Sequence, residues 1–119
     1  DICFMHGNRM YNNTLTNKDV KIIIFAHLHP AITLRDKYKK EKYKGFLIGK
    51  WKKKEIIVLP SFSNISFGYD LNSLMDKNEE GFFIVPSKTL KTFDVLIYNK
   101  KEDKIYDFGK LKRLTKLSA

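Results

Sequence analysis

A chain of 119 residues has the length of one ordinary domain and is too short for two. With 43% hydrophobic and 30% charged residues, it is neither fibrous, nor collagen-like, nor wholly disordered. Its 23 Lys and Arg against 13 Asp and Glu leave a net charge of +10, and the lone cysteine, Cys3, excludes an internal disulfide.

That single thiol fits a reducing compartment. The longest apolar run, Ile22–Ala26, falls far short of the ~20 residues a membrane span needs. No signal peptide opens the chain, so a cytoplasmic protein with no membrane partner is expected. The first residue is Asp rather than Met, which suggests a piece of something longer. The positive charge has two readings. It attracts a polyanion, or it reflects the A/T-rich codons of 20 Lys, 12 Ile and 8 Asn.

Ile2–Met5 and Lys21–Ala26 are short, β-branched or aromatic, and apolar without alternation. Such runs predict strands buried on both faces at the parallel centre of an α/β sheet. The polar stretch from Asn8 to Asp19 predicts a loop with at most one helical turn, near Thr14–Lys18. After Pro30 the pattern becomes a meander. Ala31–Asp36 alternates, Lys37–Glu41 is a charged turn, Tyr43–Lys50 a strand, Trp51–Lys54 a basic turn and Glu55–Leu59 another strand. Ser61–Asp70 predicts a loop. Gly81–Val85, Phe93–Tyr98 and Lys104–Phe108 read as further strands, with Asn99–Asp103 an exposed hairpin turn. Leu111, Leu114 and Leu117, three apart, predict a short terminal helix.

Strands apolar on both faces need two covering layers. No amphipathic helix of ten or more residues is present to supply either. The expectation is therefore part of a larger domain, or a chain that depends on another chain to cover its sheet.

All three histidines lie at the ends of the two apolar runs. His6 follows Ile2–Met5 and precedes Gly7; His27 and His29 follow Phe25-Ala26 and are closed off by Pro30. Residues two apart in an extended segment point to one side, so His27 and His29 can share a volume. If the two strands run parallel as neighbours, His6 arrives at the same edge, where open α/β sheets bind ligands. Imidazole suits zinc, iron, nickel and, in mixed sites, manganese. Three imidazoles can make a mononuclear site with an open position, whereas a binuclear site needs carboxylates that are not near these motifs. The bland alternative is three unrelated histidines satisfied by backbone hydrogen bonds.

Phe4-Met5-His6-Gly7 followed by Phe25-Ala26-His27-Leu28-His29-Pro30 resembles the last two metal-binding motifs of the calcineurin-like metallophosphoesterases, a strand ending in His-Gly and a strand ending in Gly-His-x-His. Leu59-Pro60-Ser61-Phe62-Ser63, Gly68-Tyr69-Asp70-Leu71-Asn72 and Tyr106-Asp107-Phe108-Gly109-Lys110-Leu111 are similar to the archaeal phosphoesterases related to SbcD-type nucleases. Ala26 stands where the family usually has Gly. The family's Asp-x-His, Gly-Asp-x-x-Asp and Gly-Asn-His-(Asp/Glu) motifs are absent.

The resemblance implies that residues 1–119 are the C-terminal portion of a single metallophosphoesterase domain. The fold implied is half of a four-layer α-β-β-α sandwich, this half mostly β with few helices. It further implies two divalent ions, manganese first with iron, zinc or nickel as alternatives. His6 and His27 would bind one ion and His29 the other, bridged by an upstream Asp. The general acid belongs to the absent Gly-Asn-His motif, so no catalytic residue is assigned within this chain. The implied reaction is hydrolysis of a phosphoester or phosphodiester, with DNA or RNA as candidate substrates, and the isolated chain is expected to be inactive. The missing N-terminal half, or another chain covering the sheet, is the implied partner. Apart from the resemblance, Arg9, just past His6-Gly7, is a candidate for a substrate phosphate, with an ordinary loop arginine as the alternative.

Residues 35–54 hold ten basic side chains against Asp36 and Glu41, so they carry +8 of the +10. Lys39 and Lys40 on one turn and Lys52 and Lys53 on the next, with Tyr38, Tyr43 and Trp51 interleaved, suit a nucleic-acid backbone. Lysines guarding exposed strand edges explain the same pattern. The alternative function is thus a non-catalytic, β-rich nucleic-acid-binding module with a basic hairpin face.

Overall fold

The two apolar runs are neighbouring strands, but the first lies at the edge of its sheet with Ile2 and Phe4 exposed, not buried on both faces at the centre. β1 (Ile2–Met5) and β2 (Ile22–Phe25) lie side by side in parallel, Met5 opposite Phe25. The computed structural model describes residues 1–7, 9, 11–35, 37–61, 69–71 and 84–117. Between the two strands α1 (Asn12–Thr16) supplies only one turn, the Thr16 hydroxyl donating to Asn12 O. Next come β3 (Pro30–Arg35), β4 (Lys40–Lys44), β5 (Phe46–Trp51), β6 (Lys54–Val58) and β7 (Tyr69–Asp70). α2 (Ser87–Leu90), β8 (Asp94–Asn99), β9 (Lys104–Lys110) and α3 (Leu111–Leu117) complete the order.

The result is a mostly β chain with a mixed sheet and few helices. Six strands run β1-β2-β6-β5-β8-β9, parallel across β1, β2 and β6 and antiparallel from β6 to β9. A second sheet, β4-β3-β7, holds the β3–β4 hairpin and a short parallel partner. No described helix is long and apolar enough to cross a membrane.

Register decides which side chains share a face. Ile23, Phe25, Ile56, Val58, Leu47, Val95 and Ile97 fall on one face of the large sheet and are all buried. Ile32, Leu71, Val85, Leu90, Phe93, Leu111 and Leu114 join them in one core. The opposite face is apolar as well and, among the described residues, more open. Ile2 and Phe4 are 55% and 71% exposed, and Ile22, Ile24, Ile57, Ile48, Phe46 and Leu96 are half-buried. β1 also ends the sheet, its outer edge unpaired among the described residues. Among the described residues, one face of the large sheet carries a packed core and the other does not.

Three expectations need correcting. Tyr43–Lys50 is not one strand, because the chain changes sheets at Gly45. A Cβ there would lie 3.1 Å from Leu96 O and 3.3 Å from Ile97 Cγ1, so only glycine passes easily. Lys54 opens β6 instead of closing a solvated turn, and its Nζ donates to Asn17 O and Val20 O, both at 2.6 Å. Of the strand expected at Gly81–Val85, residues 81–83 lie outside the described residues, and Ile84 and Val85 form a bend. β7 and α2 appear where no regular element was expected.

Candidate metal centre

The parallel ladder carries two imidazoles to one edge. Beyond Met5 and Phe25, the Ala26 N–H donates to His6 O at 3.1 Å, extending the pairing by one step. Gly7 then turns away with φ +103, a conformation that L side chains rarely adopt. Its absent Cβ would sit 2.8 Å from the Phe25 ring and 3.3 Å from His27 Cβ. Glycine at this position is what lets β1 end close enough for His6 to face His27.

His6 Nε2 lies 3.1 Å from His27 Nδ1, with ring centroids 5.0 Å apart and planes at 61°. Two nitrogens each ~2.1 Å from one ion stand about 3.0 Å apart at a right angle and about 3.4 Å apart at the tetrahedral angle. The observed spacing falls in that interval. It equally suits an N–H···N hydrogen bond in the metal-free pair. Both rings are exposed, so the edge is open to a ligand.

His27 is held in strained backbone. Its φ is +60, and the Leu28 N–H closes a three-residue turn onto Ala26 O at 2.6 Å. That is the rare γ-turn of positive φ, and strain of this kind costs about 1–3 kcal/mol and clusters at functional sites. His29 has φ +51 and is half-buried. The stretch is therefore not extended, and the rule that residues two apart share a side does not govern it. No hydrogen bond or ring contact joins His29 to the other two imidazoles. Among the described residues, no group of three or more His, Cys, Asp or Glu side chains is arranged to hold a metal.

Arg9 lies exposed just past Gly7, its Nε donating to the Tyr11 hydroxyl at 2.9 Å, with the guanidinium carbon 5.0 Å from the Tyr11 ring centre. Tyr11 was not singled out from the sequence; an aromatic two residues from an Arg in a loop is the signal that finds it.

The four candidate lysines do not gather at this edge. Lys39 Nζ pairs with Glu41 at 3.0 Å, and Lys40 begins β4, so both sit at the far end of the β3–β4 hairpin. Lys52 and Lys53 have φ +51 and +65 in the β5–β6 turn, with Lys52 5.2 Å over the Trp51 ring. β5 starts level with the imidazole edge and runs away from it, which places that turn about 17–20 Å off at ~3.3 Å per residue. The two basic tips belong to different sheets.

The chain matches no family model, and no curated protein or solved structure is significantly similar to it.

Proposed function

We propose that residues 1–119 form the C-terminal portion of a calcineurin-like metallophosphoesterase, a half of the four-layer α-β-β-α sandwich that hydrolyses a phosphoester or phosphodiester. The observation that carries this reading is the 3.1 Å approach of His6 Nε2 and His27 Nδ1 at the carboxyl ends of adjacent parallel strands, with His27 held in a strained turn. The donor set fits a borderline divalent ion such as manganese, iron, zinc or nickel. His6 and His27 would hold one ion and His29 the second. A bound ion pair supplies Lewis-acid activation of the phosphoester.

The chain's own residues position and recognise. Gly7 and the γ-turn fix the two imidazoles against each other, and Arg9, tied through its Nε to the Tyr11 hydroxyl, would meet a phosphate oxygen with its outer N–H groups. Carboxylate ligands and a general acid come, in this reading, from a segment outside residues 1–119 that adds a strand to β1. Among the described residues, the exposed apolar side chains of Ile2 and Phe4, next to an unpaired edge, support a further covering layer at this place.

The test is calorimetric titration of the chain with manganese, alongside an assay with a chromogenic phosphodiester. Weak binding that disappears in His6→Ala and in His27→Ala is expected, with no turnover from the chain alone. Manganese affinity unchanged in both variants would remove the metal site. Turnover by the chain alone, abolished by His29→Ala, would overturn the half-site assignment.

A further inference from the structure

Six of the nine large hydrophobic side chains exposed among the described residues lie on two hairpins, β3–β4 and β8–β9: Tyr38, Tyr43, Tyr98, Ile105, Tyr106 and Phe108. Between the hairpins runs a groove of about 440 Å³, within the ~300–1,000 Å³ range of small-molecule sites. Register places Leu34 and Tyr43 on one face of the second sheet, and Ile97 and Tyr106 together on the core face of the large one. Those two faces bound the groove, Phe108 extends its aromatic wall, and Lys100 and Lys101 line it from the β8–β9 turn.

The polar ends of the rings are already committed. The Tyr43 hydroxyl donates to Glu41 and the Tyr106 hydroxyl to Glu102. What these tyrosines offer a ligand is therefore the ring face, which recognises flat π systems. Lys100 and Lys101 make no hydrogen bond, ion pair or cation–π contact among the described residues. A flat ring to stack and an anion to pair are together the chemistry of a nucleotide.

β8 carries the groove past the level of the proposed reaction edge. β8 pairs Val95 with Leu47, level with Val58 and Phe25, so Ile97 and the Lys100–Lys101 turn extend past the strand ends that carry His6 and His27. Three strand spacings separate β2 from β8, about 14 Å.

We propose that this groove binds single-stranded nucleic acid, a base stacking on Tyr106 and Phe108 while flanking phosphates pair with Lys100 and Lys101. The surface differs from the basic turns at Lys39–Lys40 and Lys52–Lys53, and its binding requires no metal. It thus stands or falls separately from the phosphoesterase reading.

The test compares two fluorescein-labelled strands of about twelve nucleotides, one of thymidines and one abasic with the same phosphates, by anisotropy in EDTA. The thymidine strand is expected to bind the chain about fivefold or more tighter than the abasic one, the preference attributable to a stacked ring. In Tyr106→Leu/Phe108→Leu the two strands should bind alike, with the circular dichroism spectrum retained. In Lys100→Gln/Lys101→Gln both should weaken together, and the log–log salt slope should fall by about 1.4. Equal affinity of the unaltered chain for the two strands overturns the proposal without recourse to any variant. So does a preference for bases that survives in the leucine variant, or an aromatic acidic peptide that binds more tightly than the thymidine strand. Because every arm contains EDTA, failure of the metal site leaves the outcome untouched.

Discussion

Replacing Lys54 by Met separates a structural lysine from its solvated neighbours in the same hairpin. Lys54 is 6% exposed, and its ammonium donates to two backbone carbonyls, Asn17 O and Val20 O, in the loop that feeds β2. Methionine keeps most of the stem but removes both bonds, and the acceptors, being main chain, cannot be removed with it. Charge-assisted hydrogen bonds contribute about 1.5–3 kcal/mol each. Asn17 O retains the Val20 N–H at 3.2 Å as a partner, so the expected loss is about 2–4 kcal/mol. Against a total of ~5–15 kcal/mol for a domain, that is a large fraction, equivalent to roughly 10 °C in Tm at this chain length. Urea and thermal denaturation followed by circular dichroism measure it, with Lys53→Met, on the exposed turn, as a control expected to change little. A Lys54→Met variant within about 0.5 kcal/mol of the unaltered chain would refute the reasoning.

His27→Gly should stabilise the metal-free chain by about 1 kcal/mol, because glycine relieves the positive φ at only a modest entropic cost. The same variant should lose manganese affinity, so denaturation and calorimetry are expected to move in opposite directions. Tyr43, Tyr98 and Tyr106 donate to Glu41, Asp103 and Glu102, and these bonds hold each phenol's pKa above the ordinary tyrosine value. Spectrophotometric titration should therefore show phenolate absorbance appearing late, and Glu41→Gln, Asp103→Asn and Glu102→Gln should each bring one ring back toward lower pH. Phe4→Lys, on the more open face, should leave the unfolding midpoint close to unchanged while lowering any self-association seen by sedimentation, since the side chain is 71% exposed. A strongly destabilised Phe4→Lys would mean that this face is already packed.

The strand pair at the imidazole edge was readable because its signals are local: two β-branched runs without charge, each ending in histidine, with glycine or proline close behind. Composition suggested parallel strands, though not that these two are neighbours or that the first lies at the sheet edge. What escaped the sequence is tertiary. Nothing in the alternation of Tyr43–Lys50 announces that Gly45 carries the chain from one sheet to the other, because the glycine is demanded by Leu96 and Ile97, some fifty residues away. Lys54 looks like its neighbours Lys52 and Lys53 until Asn17 and Val20 are folded beneath it. The left-handed backbone at His27, set by a γ-turn, and at His29 is not anticipated by alternation rules for extended chain. The groove is assembled from β3, β4, β8 and β9, and no single window of sequence contains it.

The crossing at Gly45 has an architectural outcome. The Gly45 N–H donates to Pro30 O at 3.1 Å, so the excursion through β3 and β4 leaves and rejoins the main body at one hydrogen-bonded clasp beside His29. Ile32 roots the base of that hairpin in the core, so its exchangeable part is the far end around Tyr38 and Lys39. The length and charge of that end can drift while the scaffold under the imidazoles keeps its register.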